Sequence, residues 1–185
     1  KALGEAVRAA VPGERDPDTL RRWARLAEAQ RESSAASEAW KALLALRPDD
    51  ADGLRQLGML AYDQGHLAEA EGALRRFLSR GEGDYEANYF LGEALTAGKR
   101  AAEAAPFYRT ALRQIDALPA GARTDAVKQA QANLLHRVGR VDESVALFEE
   151  LRRRRPTDRQ LRADYAAMLI ENRRLKEAQH VLKQD

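Results

Sequence analysis

ADGLRQLGMLAYDQGHLAEAEGALRRFLSRGEGD, residues 51–84, runs directly into YEANYFLGEALTAGKRAAEAAPFYRTALRQIDAL, residues 85–118, and the second line can be laid over the first. Leu57-Gly58 falls on Leu91-Gly92, Ala70 on Ala104 and Leu78 on Leu112, each 34 residues further along. Backward, Ala24, Ala36 and Leu44 precede Gly58, Ala70 and Leu78 by the same interval. Forward, Ala132 and Ala166, Leu135 and Leu169, and Phe148 and Leu182 keep it. A fixed period of this length implies like units stacked in a row, none of which can bury its apolar side alone.

Composition says what the unit is made of. Apolar residues are 44% of the 185-residue chain, aromatics only 6%, and the apolar share is mostly Ala and Leu with few β-branched residues. That is helix-forming vocabulary, so an all-α protein is expected. Against 31 basic side chains stand 29 acidic ones, mixed through nearly every helix, for a formal net charge of +2. A non-specific nucleic-acid binder concentrates uncompensated Lys and Arg on one face, so nucleic acid is not an expected partner.

The repeated positions resemble the tetratricopeptide repeat, in which a large and a small residue stand side by side in a first helix. A small residue, an aromatic and an exit Pro follow in a second. On that register the repeats are 17–50, 51–84, 85–118, 125–158 and a truncated 159–185. The small first-helix residue is Ala24, Gly58, Gly92, Ala132 and Ala166. The second helix carries Ala36, Ala70, Ala104, Ser144 and Ala178, then Trp40, Leu74, Tyr108, Phe148 and Leu182 four residues on. The exit Pro survives at Pro48 and Pro156. The resemblance implies a right-handed superhelical α-solenoid of antiparallel helix hairpins that binds protein partners without catalysis.

Small residues are expected to let the helices of one hairpin approach, with bulky ones filling the gap between hairpins. Gly65 and Gly139 stand where the first helix must end in a left-handed residue, with Asn172 or its neighbour doing so in the last repeat. Gly98 falls one position early, which predicts a differently shaped turn. Pro106 predicts a late start or slight kink in the third repeat's second helix. About six extra residues, 119–124, separate the third and fourth repeats as a helix extension or a loop. Residues 1–16 read as the tail of a preceding second helix, with Ala2, Leu3, Ala6, Val7 and Ala10 on one face. The chain is therefore expected to be a fragment of a longer protein.

Catalytic chemistry has little to draw on. There is no Cys, which removes disulfides, thiolates and Cys-based zinc sites. His66, His136 and His180 lie in different repeats, His66 and His180 as expected surface residues, and no metal or cofactor is expected. Gly81-Glu82-Gly83 lacks the strand and the Lys-Ser or Lys-Thr of a phosphate loop and reads as an inter-repeat turn. Arg152-Arg153-Arg154-Arg155 closes a helix, where cations suit the dipole and Glu149 and Glu150 are in reach. Its alternative reading is a docking patch for an acidic partner or polymer.

In a tetratricopeptide array the first helices line the concave face. Carried over residue by residue, that groove takes Arg21, Arg22 and Arg25 from the first repeat and Arg55, Gln56, Met59 and Tyr62 from the second. Tyr89, Phe90 and Glu93 follow in the third, then Gln129, Asn133, His136 and Arg137 in the fourth. The face runs from basic through aromatic to polar and would suit an extended or helical peptide with an acidic end and an apolar middle. Met59, Tyr62, Tyr89 and Phe90 are equally readable as packing residues. Family members that clamp chaperone C-terminal carboxylates use Lys and Asn, then Asn, then Lys and Arg. Here those positions hold Arg21 and Arg25, Gln56, and Glu86 with Phe90, which argues against such a clamp.

The Ala-, Arg- and Leu-rich repeats without Cys are similar in texture to the periplasmic repeat regions of bacterial exopolysaccharide export proteins, which recruit synthesis or modification enzymes and precede an outer-membrane barrel. That resemblance implies the periplasm and a modifying enzyme as partner. A cytoplasmic adaptor or chaperone is the alternative, and direct polysaccharide binding through Tyr62, Tyr89 or Phe90 is another.

Overall fold

The computed structural model describes residues 5, 9–14, 16–81 and 84–183. Within these it is helical throughout: α1 (Pro17–Ala29), α2 (Ser33–Leu46), α3 (Ala51–Asp63), α4 (Leu67–Ser79), α5 (Tyr85–Ala97), α6 (Ala101–Asp116), α7 (Asp125–Arg137), α8 (Val141–Arg154), α9 (Arg159–Glu171) and α10 (Leu175–Lys183). Ala2, Leu3, Ala6, Val7, Glu82 and Gly83 lie outside the described residues. The chain divides into two compact units, Lys1–Ala104 and Ala105–Asp185.

In the first unit α1 packs on α2 and α3 on α4, and each hairpin leans on the next through α2 against α3, α4 against α5 and α3 against α5. In the second, α7 packs on α8 and α9 on α10, with α8 and α7 both meeting α9. Hairpins touching their sequence neighbours make this an α-solenoid of helical hairpins. Trp40, Leu43 and Leu20 are wholly buried in the first unit, Phe148, Leu151 and Leu169 in the second. Ala10 is exposed, and its neighbour Val11 enters the core instead.

Each first helix ends in the same way. Gly65 has φ 77° and Gly139 φ 82°, and Arg31, Lys99 and Arg173 take the same left-handed conformation at φ 58°, 62° and 59°. His66 N–H then reaches the Ala61 carbonyl and Gly65 N–H that of Tyr62. The pair recurs as Arg100 to Leu95 with Lys99 to Thr96, and as Arg140 to Leu135 with Gly139 to His136. This is the doubly bonded Schellman closure. The turn at Gly98 is therefore not different in shape: Lys99 accepts the unfavourable φ because the two bonds and the start of α6 fix it. In the last repeat the residue is Arg173, the neighbour of Asn172.

Inside a hairpin, small residues set the spacing. A Cβ built on Gly58 would stand 2.5 Å from Leu74 Cγ, and Ser144 Oγ donates to the Ala132 carbonyl at 2.7 Å. Leu74 thus packs onto the small residue of its own hairpin, not only between hairpins. Phe148 does bridge hairpins, stacked on Tyr165 at 5.1 Å. Burial alone would raise the Glu149 carboxyl, but hydrogen bonds from Arg152 and from the Tyr165 hydroxyl beside that stack outweigh it and hold the group below the usual range.

Two interruptions are absorbed. α6 begins at Ala101 and runs through Pro106 to Asp116, so its start is not delayed. Residues 119–124 do not extend it; they form a loop with a single 3-10 turn at Ala120–Ala122. Arg123 folds back from this loop, its guanidinium donating to the Asp116 and Leu118 carbonyls at 2.6 and 3.1 Å, which satisfies acceptors left open at the helix end.

Two glycines on the two helices of one hairpin should respond in opposite directions. Gly58→Val collides with Leu74 and should lower unfolding stability by about 1–3 kcal/mol. Gly72→Ala, where an added Cβ meets nothing within 4 Å, should raise it by about 1 kcal/mol. Chemical denaturation of both variants checks the pair.

Candidate protein-binding surface

A recurring aspartate organises the face made by the first helices. Asp50, Asp84 and Asp158 are the N-caps of α3, α5 and α9, with Oδ1 accepting from the N–H of Gly53, Ala87 and Leu161 at 2.9, 2.8 and 2.9 Å. An N-cap carboxylate satisfies an orphan donor and suits the positive helix end. Its second oxygen turns to the preceding repeat. Arg21 of α1 binds Asp50 Oδ2, and Arg55 of α3 donates from Nε to Asp84 Oδ2 at 2.7 Å and also binds Glu86. Burial would depress the Arg55 guanidinium, but Asp84 and Glu86 more than offset it, so its pKa is raised.

These bonds revise the groove expected from sequence. Arg21 and Arg55 are only 25% and 20% exposed at the side chain and are committed to tying one repeat to the next. Arg22 is exposed but turns back on its own helix, donating to Thr19 Oγ1 at 2.9 Å with Asp16 3.9 Å away. Arg25 is exposed and pairs with Asp52 of α3 at 2.6 Å, an exchangeable contact. The three arginines therefore do not form one solvated set.

The first unit also carries an aromatic group. Phe90 meets Tyr62 edge to face at 5.5 Å and 68°, and Tyr89 at 5.5 Å and 75°. All three rings are half-buried, as are Met59 and Gln56. Glu93 is buried, 7% exposed, with its carboxylate 3.5 Å from the Tyr62 hydroxyl, so it lies beneath the surface rather than on it.

In the second unit the polar positions join α7 to α9. Gln129 donates to Asp164 at 2.7 Å and accepts from Arg155 at 3.2 Å. His136 Nδ1 faces the Asn172 amide nitrogen at 3.0 Å, so it accepts there and Nε2 carries the hydrogen directed at Glu171, 2.8 Å away. Arg137 also meets Glu171, at 3.0 Å, while Asn133 is half-buried on the same helix. Three cations of the Arg152–Arg155 run pair within the chain, Arg152 with Glu149, Arg154 with Asp125 and Arg155 with Asp158.

No group of three or more His, Asp or Glu suited to a metal ion occurs among the described residues, and no described helix is long and apolar enough to cross a membrane. His66 is exposed at its turn and His180 exposed on α10.

The family model for the tetratricopeptide repeat matches residues 21–71, 55–122 and 130–181, and the chain belongs to that family. Proteins of this family generally act as protein–protein interaction scaffolds, typically without catalysis. Among solved structures, YrrB, described as a TPR protein with an unusual peptide-binding site, is similar at 17% identity and TM-score 0.57, covering 98% of this chain and 91% of its own. A tetratricopeptide repeat protein from Parabacteroides merdae is similar at 18% identity and TM-score 0.64, covering 98% and 72%. A thermophilic TPR protein of Thermus thermophilus is similar at 24% identity and TM-score 0.57, covering 88% and 86%. At these identities the likeness is one of fold. A search of curated proteins found no match.

If the ring group is built on packing, Phe90→Ala should cost the first unit about 1–3 kcal/mol, from lost burial and two edge contacts. Thermal and urea unfolding measure it; a cost near zero would make the ring a free surface group.

Proposed function

We propose that the chain is an interaction scaffold that holds an acidic, partly apolar segment of a partner protein across the first-helix face of the first unit. The observation that carries this reading is the half-buried group of Met59, Tyr62, Tyr89 and Phe90, whose accessible faces remain after Arg21, Arg55 and Glu93 are assigned to packing. Aromatic and Met side chains give contact area at low entropic cost, and anchors of this type dominate many interfaces. Arg22 and Arg25 are the exposed cations on that face and would meet the segment's carboxylates.

For the narrower setting, recruitment of an enzyme of exopolysaccharide synthesis or export in the periplasm, the support is the Ala-, Arg- and Leu-rich composition without Cys. Cell fractionation of the full-length protein separates this setting from a cytoplasmic adaptor.

The binding reading is tested by calorimetric titration with acidic-apolar peptides recovered from a displayed library. Tyr89→Ala and Met59→Ala should each weaken the best binder about tenfold or more, with helicity unchanged. Binding that both variants retain, or saturable oligosaccharide binding abolished by Tyr89→Ala, would overturn it.

A further inference from the structure

The second helices of successive repeats are also bridged, and one junction lacks the bridge. Lys41 of α2 meets Glu69 of α4 at 2.8 Å, and Arg75 of α4 meets Glu103 of α6 at 3.8 Å. Both pairs are separated by 28 residues at equivalent repeat positions. The next pair in that register is Arg109 of α6 and Glu143 of α8, which the insertion at 119–124 separates by 34 residues. Here the pattern stops. Glu143 is taken by Arg140, at 2.7 and 2.6 Å, and among the described residues Arg109 has no ion pair. Arg113, one turn further along α6, bonds only to the Thr110 hydroxyl at 3.1 Å. Two like charges one helical turn apart are unfavourable without a counter-charge.

Where the bridge is missing, the second unit holds a cavity of about 530 Å³. Its apolar lining is Pro106, Leu112 and Val138, and its cations are Arg109, Arg113 and Arg140. The one carboxylate in the lining, Asp116, is engaged by Gln131 at 2.9 Å. The volume lies within the range of about 300–1,000 Å³ common for ligand sites.

We propose that this cavity is a second docking site, distinct from the first-helix face, for a short segment of a partner protein in which an apolar side chain is flanked by carboxylates. The apolar side chain covers Leu112 and Val138, and a carboxylate replaces the missing Glu143 contact at Arg109 and Arg113. Guanidinium groups accept carboxylates in paired hydrogen bonds, so an exposed, unpaired Arg couple beside an apolar floor selects this chemistry over a neutral or basic segment. The proposal does not depend on what binds the aromatic group.

The test is a backbone-amide NMR titration of the whole 185-residue chain with a synthetic peptide carrying leucines between aspartates. Saturable shifts are expected on residues 107–116 and 138–140, and added salt should weaken them. Arg109→Glu with Arg113→Glu should reduce affinity about tenfold or more; the milder Arg109→Gln with Arg113→Gln should reduce it less. An asparagine-for-aspartate peptide should not bind. No saturable shift up to millimolar peptide, shifts confined to Met59, Tyr62 and Tyr89, or affinity indifferent to both pairs of substitutions would each overturn the proposal.

Discussion

The carboxylate that begins a first helix is shared between that helix and the repeat before it, and much of the first unit's surface follows from this. Asp50 and Asp84 each give one oxygen to a backbone N–H of their own helix and the other to an arginine from the preceding repeat. A side chain that caps a helix is already ordered, so the arginine meets an acceptor whose entropy cost is largely met by the cap. The pairing also fixes how far one hairpin slides along the next. In the second unit the equivalent position is Gln129, and the junction is made instead by Arg155 with Asp158 and by Gln129 with Asp164.

Once those arginines are structural, the candidate binding surface shrinks and becomes more apolar. What remains of the expected groove in the first unit is a half-buried Met and aromatic group together with exposed Arg22 and Arg25. On the second-helix side, the insertion removes one bridge and leaves an unpaired arginine couple. The two surfaces arise in different ways: one from side chains placed by the repeat, the other from a place where the repeat is broken.

The period was fully legible in the sequence, because small residues are demanded wherever two helices nearly touch, as at Gly58 against Leu74 and Ala132 under Ser144. The hairpin turns were legible where glycine marked them, at Gly65 and Gly139, and at the last repeat, where the residue is the neighbour of Asn172. Arg31, Lys99 and Arg173 adopt the same left-handed conformation without a residue type that advertises it, since two hydrogen bonds and the following helix outweigh the local cost. The site was the least legible part. A helical register places Arg21, Arg22, Arg25 and Arg55 on or near one face, but it does not say which carboxylate each will find. The missing signal was present in Asp16, Asp50 and Asp84, spaced by 34, with Arg21 and Arg55 each 29 residues before an Asp. Glu93 is buried rather than on the groove surface for a related reason: periodicity places a residue on a side of a helix without saying how deep its neighbours bury it.

A double-mutant cycle on Arg55 and Asp84 tests the shared-carboxylate account most directly. Asp84→Asn keeps the cap, since Asn caps about as well as Asp, and replaces the charged acceptor that Arg55 meets with an amide NH2 that cannot accept from it; Arg55→Met removes the other partner. The account predicts a coupling of about 1 kcal/mol in unfolding stability, with partner binding unaffected by Arg55→Met. Additive effects on stability, together with lost partner binding in Arg55→Met, would contradict it and return Arg55 to the binding surface.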